Sequence, residues 1–415
     1  MSTKPSIAII GAGHAGLVLA LGLQDKGYQV TVVSDRTPAQ IATGRITSTQ
    51  LLYPAARAIE RELGLDFWQE SAPPAQDLTV TVTDAQGDKD FSWTAPYQPG
   101  PSTSVDYRVR IPFWMNIFRR RGGRLLNASV GVQDLESIAA SHDLTIMSTG
   151  KGEIGKLFEK DRTRTIYDTP QRYIAAVYVD GLQTPERLAT EVTVMPGTGE
   201  IFFFPVLTIT GPANLLMFEG RMGGRLDSWD GIDTPADYLQ QAKTVIETFM
   251  PWAADRVADV TLTDDNAVLR GCYPPTVRKP VATLPSGLKV LGMADLVVLN
   301  DPITGEGANN AVKCAKTYLE AIVERGVEPF DEAWMNQTFE TYWDDVQWAT
   351  SYTNITLEGP QHVRDLVRAG IGSEAIRQWH SDSRSNPADF FPAWGDPAAA
   401  AALIDRHTAL AATES

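Results

Sequence analysis

Cysteine is nearly absent: Cys272 and Cys314 are the only two among 415 residues. That excludes a disulfide framework or a cysteine-built metal site, and both thiols are expected to be buried in a reducing cytoplasm. Histidine is scarce too. His14, His142, His362, His380 and His407 are scattered along the chain, so no metal ligands are expected. No apolar run approaches the roughly 18 residues of a membrane span. The first apolar stretch begins too soon to leave room for a signal peptide, and a cytoplasmic location is the expectation. Basic residues are outnumbered, 36 Lys and Arg against 51 Asp and Glu, for a formal charge of −15. Nucleic acid and anionic membrane surfaces are therefore poor partners. Internal repeats, low-complexity linkers and a catalytic triad are all lacking.

What the chain does contain is Ile7-Ala8-Ile9-Ile10-Gly11-Ala12-Gly13-His14-Ala15-Gly16-Leu17. An apolar strand runs into G-x-G-x-x-G and on into an apolar helix. Gly11 suits a tight turn, Gly13 lets a pyrophosphate approach the backbone, and Gly16 lets the helix pack on the strand. The helix start offers free N–H groups and about +0.5 of a charge to phosphates. A second strand, 29 to 33, ends in Ser34-Asp35, where an acid accepts hydrogen bonds from an adenosine ribose. A dinucleotide is the expected cofactor, and redox chemistry must come from it.

Arg36 follows at once, and Arg45 lies in the next loop; an arginine there either reaches the cofactor or is simply solvated. Leu78, Val80 and Val82 alternate with polar residues and turn through 84–88 into Phe91 and Trp93, which reads as a hairpin leaving the nucleotide-binding unit. A helix is expected from Pro112 to Arg121. Another apolar strand, 144 to 147, leads into Ser148-Thr149-Gly150, again at the cofactor's edge of the sheet. From about 167 to 260 short β-type runs rich in Phe, Tyr and Met form a second domain. Its one helix has Thr234 as N-cap and Pro235 at the first position. A strand from Leu288 ends in Gly292-Met293-Ala294-Asp295. The loop Asp301 to Asn310 then enters a helix over 311–323, and Pro302, Gly305 and Gly307 allow the backbone close to a ring edge. The tail reads as helices over 331–350 and 361–370, stapled on by tryptophans.

Together, Gly11 to Gly16 with Asp35, Gly292 to Asp295, and Asp301 to Asn310 resemble the FAD-binding fold of the p-hydroxybenzoate hydroxylase type. More narrowly, the chain resembles the oxygenase component of the styrene/indole monooxygenases over nearly its whole length. The similarity is carried by Val105-Asp106-Tyr107-Arg108, Thr149-Gly150-Lys151 with 155–160, Gly199-Glu200 before Phe204-Pro205, Asp301-Pro302 with 305–309, and Thr353-Asn354 with Thr356-Leu357. The resemblance implies a separate NADH-dependent flavin reductase as transient partner, with reduced FAD and O2 as co-substrates. In that family oxygen adds at the flavin C4a carbon, and the resulting hydroperoxide passes its distal oxygen to an electron-rich alkene. It also implies that Pro302, Gly305, Gly307, Ala308 and Asn309 lie near the flavin, with Arg108, Thr149, Gly150 and Asp295 also toward the cofactor and Arg45 near the flavin or the substrate. Styrene-type members tend to carry Asn and Val where this chain has Ser48 and Gln50, and His at Leu52. Indole-type members tend to have Ser, Gln and Met. Two matches of three point to indole, with styrene also turned over.

The resulting expectation is an α/β protein with a Rossmann-like FAD-binding domain and a mixed-sheet substrate domain. FAD-binding parts span 1–76, 105–166 and 285–330; the substrate domain takes the hairpin 77–104 and 167–284; a helical region fills 331–415. A homodimer is possible. The competing readings are a single-component NAD(P)H-dependent aromatic hydroxylase of the same fold and a non-catalytic flavin-binding protein. A tryptophan halogenase is disfavoured because no W-x-W-x-I-P segment is present.

Overall fold

The computed structural model describes residues 4–149 and 152–413. Ser6–Ile10 lies near the middle of a six-stranded sheet whose order is 281–283, 289–292, 144–147, 6–10, 29–34 and 124–127. Neighbours run parallel except at the edge, where Val281–Thr283 is antiparallel to Lys289–Gly292. Ile7, Ala8 and Ile9 are each 0% exposed, so both faces of the first strand are covered, as its unbroken apolar run requires. The helix His14–Asp25 is buried along residues 14–23. It packs against the helix Glu306–Arg325 at Gly22, where a β-carbon would stand 2.7 Å from Leu319 Cδ2.

Two helices begin earlier than their sequence markers suggest. Tyr107–Arg120 is capped by Asp106, whose Oδ1 accepts from Arg108 N at 2.8 Å, and Pro112 falls inside it at the cost of one intrahelical bond. The helix expected from Ala311 starts at Glu306, because Gly305 takes a left-handed φ of +72° and ends the preceding turn.

The second sheet is built from the hairpin Asp77–Thr83 and Lys89–Pro96, together with Ala189–Met195, Gly199–Thr208, Gly211–Arg221 and Arg172–Asp180. Short strands at 261–262 and 268–271 pair with the last of these. Side chains alternate across the sheet. Ile174, Ala176 and Tyr178 join one buried cluster, while Ala175, Val177 and Val179 join another beneath the helix Pro235–Phe249. Both faces are therefore apolar. The tail holds the helix Glu332–Glu358, then three shorter ones, and is pinned by Tyr352, Phe390 and Trp394, the first two stacked at 4.3 Å. Among the described residues no helix is long and apolar enough to cross a membrane.

Candidate active site

A cavity of about 540 Å³, within the range of small-molecule and cofactor sites, opens between the two sheets. One wall is almost entirely backbone. Gly11 turns the chain at φ +116°, where a β-carbon would stand 3.0 Å from the Ser148 carbonyl carbon. At Gly16 a β-carbon would be 2.2 Å from Gly11 O, so helix and strand touch through glycine. Gly13 and Gly307 are different: a β-carbon at either would meet nothing within 4 Å, and both line the cavity. Each lies at the N-terminal end of a long helix, so two sets of free N–H groups and two positive dipole ends face one space. Asp35, Arg36, Thr149, Pro302, Gly305 and Ala308 share this wall. So do Ala294, held at a φ of +52° unusual for a non-glycine residue, and Asp295. Two glycine cradles facing one cavity have the room and the polarity to hold an extended dinucleotide such as FAD.

Behind the glycine loop lies a buried charged group that the linear motif conceals. Arg110 Nη1 reaches both oxygens of Glu60 at 2.5 and 2.6 Å, and His14 Nε2 meets Glu60 Oε1 at 2.7 Å. Burial opposes the charge on Glu60, but Arg110 and His14 outweigh it and hold the carboxyl below its usual range. Burial is also the main reason His14 sits below the ordinary imidazole value, against the upward pull of Glu60. A neutral imidazole beside a carboxylate must donate through Nε2. Its Nδ1 is then an acceptor, and the Tyr107 hydroxyl at 2.9 Å donates to it. Tyr107 lines the cavity, so the chain of bonds leaves its oxygen as an acceptor there. Glu306, at the start of the other helix, has no such partners: it is fully buried, and both carboxylate oxygens lack a hydrogen bond among the described residues. Burial pushes it up to about 8. Burial thus favours its neutral form, which leaves the positive helix end unopposed.

The facing wall is made of side chains. Thr47 to Leu51, Ile174 and 269–273 line it. Gln50 is 3% exposed at a φ of +31°, and its Nε2 donates to the Tyr178 hydroxyl at 2.6 Å. Ser48 lines the same wall and accepts from Gln50 N through Oγ at 3.3 Å.

The structure thus gathers Gly11, Gly13, Asp35, Arg36, Ser48, Gln50, Thr149, Asp295, Pro302, Gly305, Gly307 and Ala308 around one cavity, while Gly16 packs behind it. Gly150 and Lys151 lie outside the described residues. Three expected site residues are placed elsewhere. Arg45 is exposed and off the cavity wall, on a loop where nothing draws its charge inward. Arg108 is 3% exposed and spent on carboxylates, with Asp106 and Asp264 each 2.8 Å away, so it clamps the two units together. The side chain of Asn309 is spent on backbone: it accepts from Tyr53 N at 2.8 Å and donates to Leu51 O and Gly305 O at 3.0 and 2.8 Å. Cys272, expected buried, is exposed on the cavity wall; Cys314 is buried. Sequence reading missed His14, Glu60, Arg110 and Tyr178. The available signal was a charge on an apolar helix stripe: Glu60 shares a face with Ala56, and Arg110 with Trp114.

Comparison with known proteins agrees with this geometry. Residues 150–256 match the family model described as "Styrene monooxygenase A putative substrate binding domain", and residues 6–49 match an FAD binding domain. Styrene monooxygenase StyA of Pseudomonas fluorescens is 29% identical over 372 residues, covering 85% of each chain, and a Pseudomonas sp. StyA matches equally. Among solved structures, a triple mutant of the flavin-dependent brominase Bmp2 aligns with a TM-score of 0.66 at 16% identity, covering 97% of this chain and 99% of that one. PqsL of P. aeruginosa, also as a mutant, aligns with a TM-score of 0.60 at 15% identity over 94% and 100%. The chain therefore has the fold of the flavin-dependent monooxygenases and halogenases, and in sequence it is similar to styrene monooxygenase.

Proposed function

We propose that this chain is the oxygenase of a two-component flavin system, taking reduced FAD from a separate NADH-dependent reductase and epoxidising the activated double bond of a small aromatic, indole before styrene. The observation that carries the reading is the single cavity shared by a backbone-built cofactor wall and a side-chain-built wall. The similarity to StyA across both units supports it.

In this reading the Gly11–Ala15 turn and helix start hold the pyrophosphate, Asp35 the adenosine ribose, and Ala294-Asp295 with Pro302–Ala308 the flavin portion. Reduced FAD, when bound, supplies the electrons that activate O2 so that one oxygen atom passes to the double bond. The chain's own share is placement. Neutral Glu306 preserves positive potential at the second helix start. Gln50 and Ser48 orient the aromatic against the flavin wall, and the apolar Ile174 and Leu269 beside them favour a ring over water. Arg108, tied to Asp264, keeps the two walls in register.

The test is a reductase-free single turnover. Protein is mixed anaerobically with chemically reduced FAD and indole or styrene, oxygen is admitted, and products are analysed. An oxygenated product from externally supplied reduced FAD supports the reading, and the faster substrate identifies the preference. Rapid NADH oxidation by the purified protein with FAD and substrate, and no reductase, would replace it with the single-component hydroxylase. Flavin binding without any oxygen transfer would replace it with a flavin carrier.

A further inference from the structure

In the side-chain wall Gln50 is held from behind by two hydroxyl groups. Gln50 Nε2 lies 2.6 Å from Tyr178 Oη and 3.5 Å from Ser104 Oγ. The Tyr178 hydroxyl points toward Ser48 O and the Ser104 hydroxyl toward Thr49 O, each across a long 3.4 Å. Each oxygen accepts from Gln50, whose amide NH2 is the end that faces them. The carbonyl Oε1 is then the end left for a ligand in the cavity that Gln50 lines.

We infer that Tyr178, helped by Ser104, is a specificity-determining residue: it locks Gln50 as a one-way acceptor, so that the site selects an aromatic bearing an N–H over a hydrocarbon of the same shape. This rests on the oxygenase reading above and supplies a physical reason for its substrate order. The lock is rigid. Tyr178 is 0% exposed, its backbone N donates to Ala267 O and its carbonyl accepts from Thr263 N. The Arg108 guanidinium, itself clamped by Asp106 and Asp264, lies 5.9 Å from the Tyr178 ring centroid. Burial raises the phenol's pKa, so the proton pointed at Ser48 O stays in place at working pH. A freely rotating glutamine would present N–H and carbonyl in turn and discriminate little; orienting it in advance is what converts its polarity into selectivity.

The test compares equilibrium binding of indole with that of benzothiophene, which has the same shape and no N–H, to the full-length protein with FAD. Wild type is expected to prefer indole. Tyr178→Phe should lower the indole-to-benzothiophene affinity ratio about five- to tenfold, with benzothiophene affinity moving less than about twofold. Ser104→Ala should shift the ratio the same way by less. In a Gln50→Leu background, Tyr178→Phe should change the ratio no further. An unchanged ratio, or equal weakening of both ligands, would make Tyr178 merely structural and overturn the inference. Wild-type protein that binds neither ligand, or both equally, would overturn the inference, while the single-turnover test above decides the oxygenase reading separately.

Discussion

The two walls of the cavity are made of different material. One wall, the cofactor wall of the proposed reading, is backbone: helix starts, tight turns and glycines whose missing β-carbons leave room. The facing wall is side chain, with Ser48 and Gln50 at its surface and Tyr178 and Ser104, from separate strands, behind them. A backbone wall depends on which residues lack a side chain, and a side-chain wall on which distant residues meet. The first is tolerant of everything except added bulk. The second is tuned by single hydroxyl groups.

The largest effect should come from adding bulk to the cofactor wall. Gly13 has an ordinary negative φ and open space around it, so Gly13→Val should fold with a Tm near wild type yet lose FAD binding by about a hundredfold or more, measured by flavin fluorescence. Gly16→Val, one turn away, should instead fail to fold stably, because its β-carbon would meet Gly11 O. If Gly13→Val bound FAD normally, the cradle assignment would be wrong.

Next in size is the charged support behind that wall. Arg110→Met strands Glu60 without its main partner and should cost about 3–5 kcal/mol in denaturant unfolding. A loss below about 1 kcal/mol would mean that His14 alone suffices. Glu306 offers the opposite case, a buried acid with no partner. Its folded-state pKa is raised to about 8, so the stability it contributes is fully present below the ordinary glutamate value and lost as pH rises toward 8. Glu306→Gln should therefore flatten the fall in stability between about pH 5 and pH 8, gaining on the order of a few kcal/mol over wild type at the upper end. Parallel pH profiles of the two proteins would show that Glu306 is ionised and paired in solution.

The smallest effect separates two arginines that look alike in sequence. Arg36 lines the cavity and Arg45 does not. Arg36→Ala should weaken FAD binding several-fold at low salt, while Arg45→Ala should change it less than about twofold. Equal losses would put Arg45 back at the cofactor.

The cofactor wall was legible along the chain because its parts are local: Gly11, Gly13 and Gly16 are one turn and one helix start, and Pro302 to Gly307 another. Their distances are set by covalent neighbours. Arg108 and Asn309 were expected at the cofactor, and their side chains are bonded to other parts of the protein instead. Asp264, which captures Arg108, is 156 positions away, and Leu51, which captures Asn309, is 258 away. His14 was in plain view inside the fingerprint, but its role needed Glu60 and Arg110 beside it.

By itself the sequence determined the α/β nucleotide-binding sheet, the glycine turns and the apolar strands of the second sheet, since propensity, periodicity and glycine sterics act over a few residues. Only the tertiary structure decided which polar side chains face the ligand and which face one another. Hydrogen bonds and ion pairs are short-ranged and directional, so a side chain's role depends on the partner that folding brings within about 3 Å.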